Sequence, residues 1–309
     1  MYNFSETINK TNSRMENSSN NQVIVGIGEA LWDCLPEGRK LGGAPANFAY
    51  HVGQFGWQST VVSAVGCDAL GDEILQVFDK VRLPYHIARV DKPTGTVQVT
   101  LSADGIPSYE ICEDVAWDNI PWTEELSALA ARTRAVCFGS LAQRSQVSRE
   151  SIMRFIASMS EDTERVYDIN LRQHFYSLEV IEESLRCATM LKLNDEETVV
   201  VAKLLGLPDG SYEAQSRQIL ERYPRLRMVI LTCGAVGSYV FTRDETSYEE
   251  TPSVAVADTV GAGDSFTATF VAQILAGKTI REAHSKAVSV SAFVCTQHGA
   301  MPKLPQALL

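Results

Sequence analysis

Residues 258–266, Asp-Thr-Val-Gly-Ala-Gly-Asp-Ser-Phe, bring bare backbone and a carboxylate together in one short stretch. Gly261, Ala262 and Gly263 precede a pattern in which Phe266, Phe270 and Ile274 recur every fourth residue. That spacing predicts a helix with one apolar stripe. The first N–H groups of such a helix have no partner within it. They converge on one point beside the positive helix end and make an anion site. Asp264 stands at the same helix start. A carboxylate there is ill suited to holding phosphate, and well suited to taking a proton from a hydroxyl that attacks phosphate. Capping or charge complementation of the helix would also explain Asp264, and the segment alone leaves both roles open.

Four other turns carry polar chemistry. Gly42-Gly43-Ala44-Pro45-Ala46-Asn47 is a tight turn into a helix, with Pro45 suited to its first turn. Two glycines let a ligand lie on bare backbone, and Asn47 offers a donor and an acceptor. Asp33, just after the first strand, can accept two neighbouring hydroxyls. Asp168-Ile169-Asn170-Leu171-Arg172 ends a strand, and Arg172 is a fork for carboxylate or phosphate or simply a solvated cation. Asn194-Asp195-Glu196-Glu197 opens a helix. Its acids suit the helix dipole, and Glu197 with Asn194 also suits a Mg²⁺ ion that keeps its waters. Thr232-Cys233-Gly234-Ala235-Val236-Gly237 is a strand-end turn fit for ribose or phosphate, or for a plain hairpin. Two patterns are excluded. Gly277-Lys278-Thr279 ends one helix and caps the next, so it is no P-loop. Gly26-Ile27-Gly28 meets Leu31 where a dinucleotide fingerprint needs a third glycine.

The elements that position these groups alternate. Expected strands are Val23–Gly28, Thr60–Val65, Ala135–Gly139, Arg165–Ile169, Met190–Leu193 and Arg227–Thr232, with Tyr239–Thr242 returning. Amphipathic helices are expected at Pro45–Gln54, Asp72–Val81, Ser148–Met159, Ile181–Ala188, Glu196–Leu205 and Ser211–Arg222. The order implies a mostly parallel sheet covered by helices on both faces, with ligands at the carboxyl ends of its strands. Residues 94–112 alternate with period two around Asp104-Gly105 and predict a hairpin. With the extended piece 31–41 they form either a small antiparallel flap or an edge of the main sheet. One domain over 23–309 is expected, after a disordered tail at 1–22.

Composition narrows the partners. The chain has 309 residues, 45% of them hydrophobic, with 27 basic and 38 acidic side chains for a net charge of −11. No basic block interrupts that acidity, so nucleic acid and anionic membrane are poor partners. No apolar run approaches the roughly 20 residues of a membrane span. The seven cysteines include no C-x-x-C pair and lie mostly in apolar runs, as expected of reduced thiols in the cytoplasm.

The Gly42–Asn47 turn followed much later by Asp258–Phe266 resembles the two signatures of the ribokinase/PfkB family of carbohydrate kinases. The resemblance runs from about Val23 to Pro302. Gly28-Glu29-Ala30-Leu31-Trp32-Asp33, the Ala44-Pro45 step and Ala116-Trp117-Asp118 look most like bacterial fructokinases within it. The resemblance implies a three-layer α/β/α sandwich with a small antiparallel β-lid at about 31–41 and 94–112, often used for dimerisation. It implies ATP, Mg²⁺ and a sugar as reactants. Asp264 is then the catalytic base, with Gly261, Ala262 and Gly263 as anion hole. Asp33, Gly42, Gly43, Asn47 and Arg172 fall on the sugar side. Lys192, Asn194, Thr232, Gly234 and Gly237 fall on the nucleotide side with Gly261 and Gly263, and Glu197 reaches Mg²⁺ through water. Asp258 is a candidate for K⁺, a role that Lys303 puts in doubt. The expected reaction is transfer of the γ-phosphoryl group of ATP to the 6-hydroxyl of fructose. Kinases of 2-keto-3-deoxygluconate or ribose, and a catalytically silent sugar-binding protein, are the alternatives.

Overall fold

The computed structural model describes residues 22–35, 38–101 and 107–309. The expected tail, Gln22 apart, and the Asp104-Gly105 turn lie outside the described residues. The main sheet runs in the order β13 (Thr246–Glu250), β12 (Gly237–Phe241), β11 (Met228–Thr232), β10 (Met190–Asn194), β9 (Glu164–Asp168), β8 (Thr133–Phe138), β1 (Val23–Ile27), β4 (Ser59–Gly66) and β5 (Tyr85–Val90). Neighbours from β11 to β5 are parallel, while β12 and β13 turn back antiparallel.

Strand alternation sends side chains to two cores. Val25, Ile27, Leu191, Leu193 and Leu231 face one of them. Ile24, Met190, Val166 and Ile230 face the other, where they meet Phe48 of helix α1 (Ala44–Gln54). Phe266 and Phe270 of α8 (Ala262–Leu275) and Ala283 and Ala287 of α9 (Ile280–Cys295) complete that second core. Helices α4 (Gln146–Ala157), α5 (Leu178–Cys187), α6 (Asp195–Leu204) and α7 (Tyr212–Arg222) supply Phe155, Leu185, Val201 and Ile219 to the first. Helix α2 (Ala69–Val81) packs Ile74 and Phe78 against Val61 and Val65 of β4. No helix among the described residues is long and apolar enough to cross a membrane.

The expected strands and helices are present, with ends moved by a few residues. Helix α3 (Glu124–Ala131) and strands β5 and β13 were not anticipated. Both strands lie at sheet edges and mix polar with apolar residues, so neither shows a clean period. The flap is a separate four-stranded sheet in the order β3 (Gly38–Gly42), β2 (Leu31–Leu35), β6 (Gly95–Leu101), β7 (Pro107–Ile111). Its two hairpins are antiparallel, but β2 and β6 join them in a parallel seam. The chain makes β4 and β5 in the main sheet before returning to the lid, which frees β6 from hairpin direction.

Candidate active site

Most helices are capped by a side chain: Asp68 accepts from Gly71 N, Ser177 from Val180 N and Asn194 from Glu197 N. Helices α1 and α8 begin instead on Gly43 and Gly261, at φ 124° and 78°, with no side-chain cap. Both starts face one cleft at the carboxyl ends of the strands. Only glycine fits there. A Cβ on Gly43 would lie 2.5 Å from the carbonyl oxygen of Glu29, and one on Gly261 would lie 2.6 Å from Cβ of Ala300. The α8 ladder starts with Ser265 N donating to Gly261 O, and Ala262 N is taken by Thr259 O. The amides of Gly261, Gly263 and Asp264 are what that turn leaves for an anion. Ala262 was expected among the hole's donors, and its N–H is already engaged.

Asn47 Nδ2 donates to Asp264 Oδ2 at 2.7 Å and joins the two helix starts. Asn47 is 3% exposed and its Oδ1 has no partner among the described residues. A buried acceptor left unpaired costs about 1–3 kcal/mol, so it calls for a donor from a ligand, such as a hydroxyl. Loss of water pushes the Asp264 carboxyl up to about 6, with the Asp168 charge adding to the rise. The Asn47 hydrogen bond, Lys192 and Arg172 act the other way. Such a group is ionised at neutral pH and strong enough as a base to take a proton.

Beneath α8, Lys192 of β10 is buried with its Nζ 3.2 Å from Asp168 Oδ1, across a register pair of β9 and β10. Burial opposes the Lys192 charge, but Asp168, Glu197 and Asp264 together hold its ammonium above the usual lysine range. Asp168 Oδ2 accepts from Thr267 of α8 at 2.9 Å. A Cβ on Gly263 would lie 3.1 Å from the Lys192 ammonium, so the second glycine of the turn leaves that cation under the cradle.

Asn194 and Glu197 form a capping box: Glu197 Oε2 accepts from Asn194 N, and Glu197 Oε1 accepts from Leu171 N, both at 2.8 Å. Glu197 thereby clamps the loop that carries Arg172. That loop places Asn170 and Gln173 at φ 42° and 49°, a strained region for residues with a side chain. Arg172 is exposed, and its charge lowers the carboxyls of Asp33, Glu29 and Asp264 alike. Burial raises Asp33, with Arg172 and Lys40 opposing it. A Cβ on Gly42 would strike Asp33 Oδ2 at 2.7 Å, so Gly42 makes room for that acid across the β2–β3 pair. Thr232 pairs in register with Asn194, and Gly234, at φ 52°, has open space around it. Gly237 serves the hairpin instead: a Cβ there would lie 2.6 Å from Glu249 O.

Asp258 bonds the amides of Val260 and Gly299 and lies 3.6 Å from the ammonium of Lys40 in β3. The K⁺ candidate therefore already has a cation, and it comes from the lid. Among the described residues no cluster of three His, Cys, Asp or Glu side chains is arranged to hold a metal.

Two residues escaped the sequence reading as site members. Asp168 is the partner of Lys192, and Glu29 lines a small cavity with Asp264, Asp168 and Asn170. Glu29 is 4% exposed, and its Oε1 accepts from Ala44 N at 3.2 Å. Burial first, and then the charge of Asp264, push its carboxyl up to about 7. The available signal was an acid directly after the apolar run 23–28, where burial is expected.

The family described as pfkB family carbohydrate kinase matches residues 37–307. An uncharacterized sugar kinase of Pyrococcus horikoshii is 28% identical over 272 residues, 82% of this chain and 83% of its own. Its solved complex with ATP superposes at TM-score 0.73 with 26% identity, covering 90% of this chain and 94% of that one. A fructokinase of Salmonella typhimurium is 28% identical over 305 residues, 92% of this chain and 97% of its own. A double-mutant fructokinase of Vibrio cholerae, solved with fructose, ADP and potassium ion bound, superposes at TM-score 0.76 with 25% identity over 94% of this chain and 97% of that one.

Proposed function

The chain belongs to the pfkB family of carbohydrate kinases, and from that premise we propose that it transfers the γ-phosphoryl group of ATP to the 6-hydroxyl of fructose. The observation that carries the reading is the junction of the two glycine-capped helices, where Asn47 holds Asp264 beside free amides and keeps an unpaired Oδ1. Asp33 and Asn47 accept sugar hydroxyls and hold the 6-hydroxyl against Asp264. Asp264 takes its proton as the oxygen reaches phosphorus. The amides of Gly263 and Asp264, with Lys192 behind them, stabilise charge growing on the transferred group. Thr232 and Gly234 bound the nucleotide side. The lid closes over the sugar and keeps water from being phosphorylated in its place.

A Mg²⁺ ion that keeps its waters fits Glu197, because each oxygen of that carboxylate accepts one backbone N–H and keeps one lone pair for a metal-bound water. When bound it would neutralise phosphate charge. A K⁺ ion near Asp258 would share that carboxylate with Lys40, and a KCl titration of the rate decides whether it adds anything. The lid's outer edges are the proposed dimer surface, to be checked by light scattering. Location in the cytoplasm fits seven free cysteines.

A coupled ADP-release assay on fructose, ribose and 2-keto-3-deoxygluconate tests the substrate. Fructose turned over with the highest kcat/KM supports the reading. The alternative acceptor is 2-keto-3-deoxygluconate, because the Arg172 charge acts on both Asp33 and Asp264 and suits a sugar acid. Binding of a sugar without ADP release would mark a silent sugar-binding protein.

A further inference from the structure

At the amino ends of the strands, opposite the cleft, a cavity of about 890 Å³ opens beside Val23, Ser59 and Tyr85, the first residues of β1, β4 and β5. Lys80, Arg82, Arg132 and Lys303 line it, and no Asp or Glu does. None of the four cations has an ion pair or side-chain hydrogen bond with any described residue. The chain carries 38 acids against 27 bases, and other cations find acids, as Arg39 finds Glu73 and Arg89 finds Asp72, whereas these four share one acid-free lining. Two acids engage other groups of the wall: Glu125 pairs with His86, and Asp79 acts on Tyr85. Part-buried Tyr50, Trp57 and Tyr85 form apolar wall. Thr60, also on the wall, is 3% exposed and its hydroxyl has no partner among the described residues.

We propose that this cavity is a second ligand site, for a small molecule carrying two phosphate groups. Four unpaired cations call for about four negative charges, and a phosphate monoester carries roughly −1.5 to −2 at pH 7. Two arginines supply forks that match phosphate oxygens, and two lysines supply point charges. Residues 1–21, which lead to the cavity rim at Val23, are the competing occupant. Their side chains balance, Glu6 and Glu16 against Lys10 and Arg14, so they offer the cations no net attraction.

The cavity shares two elements with the phosphate cradle. Tyr50, Gly53 and Gln54 lie on its wall and on α1, whose first turns carry Asn47. Gln54 also bonds Pro302 O and Leu304 N on either side of Lys303, in the segment whose Ala300 backs Gly261.

The test is isothermal titration of inorganic pyrophosphate into the full chain, into the charge-reversed variant Arg82→Glu with Arg132→Glu, and into a chain starting at Gln22. Both substituted residues are exposed and outside the catalytic cleft, so kinase turnover without pyrophosphate stays unchanged and reports that the variant folds. Arg82→Gln with Arg132→Gln is the milder second variant. Binding by the full chain that weakens at least tenfold on charge reversal, and at least threefold in the milder pair, supports the site. Absence of binding, or binding that neither pair alters and that therefore belongs to the cradle, overturns it. Binding that appears only in the shortened chain also overturns it, in favour of residues 1–21 as the occupant.

Discussion

Gly261 and Gly277 stand at opposite ends of α8 with the same backbone angle, φ 78°, and very different surroundings. The pair allows the cradle's geometry to be tested apart from its backbone conformation. Alanine at either position carries the left-handed penalty of about 1–2 kcal/mol. At Gly277 nothing lies within 4 Å of the added Cβ, so that penalty is the whole effect. At Gly261 the Cβ would sit 2.6 Å from Cβ and 2.7 Å from Cα of Ala300. Ordinary carbon contacts lie at about 3.5–4.0 Å, so the turn must retreat by roughly 1 Å. A displacement of that size in a phosphoryl-transfer site costs on the order of 100-fold in rate, or about 2.7 kcal/mol. Thermal unfolding and steady-state ADP release should then separate the variants. Gly277→Ala loses stability and keeps its kcat, while Gly261→Ala loses at least as much stability and about 100-fold in kcat, with sugar affinity little changed. If Gly261→Ala turns over within threefold of the parent while folded, the amide cradle does not stabilise the reacting phosphate. Equal rate losses in both variants would trace the effect to the helix as a whole.

Asp264→Asn is expected to keep nucleotide binding, measured by calorimetry, and to lose at least about 100-fold in kcat, the lower range of general-base help. For the parent, kcat/KM should fall as pH drops through about 6, where Asp264 gains its proton. The stability effect has the opposite sense. A carboxyl raised from 3.8 to about 6 stabilises the fold only while protonated, and that contribution disappears as pH rises between those values. Asp264→Asn should therefore stabilise the fold at pH 7.5, by roughly 3 kcal/mol at most and read as a higher melting temperature, and give no gain below pH 4. Glu29→Ala removes the acceptor for Ala44 N and loosens the start of α1, so sugar KM should rise about five- to tenfold for one hydrogen bond. Glu29→Gln keeps that acceptor and should restore most of the affinity. An unchanged KM in Glu29→Ala would refute the positioning role.

What the sequence determined by itself is local. The 3.6-residue and two-residue periods fix which segments become helix and strand, because each buries one face. The glycines at 43 and 261 announce helix starts without side-chain caps, because they sit where a capping Ser, Thr or Asp would be expected. Asp264, Asn47 and Asn194 were legible for that reason, each at or beside a helix start. Tertiary structure decided the pairings. Asn47 and Asp264 meet across 217 positions, and Lys192 meets Asp168 across 24. Nothing local distinguishes a buried lysine from a solvated one. Glu29 stood in the sequence only as one residue of the Gly28–Asp33 stretch, and only the fold around Ala44 makes it a buried acid beside Asp264. Asp258 acquires Lys40 only because the lid folds over it. Charge burial and long-range contact depend on which elements pack together, and a single chain's periodicity carries no information about that choice.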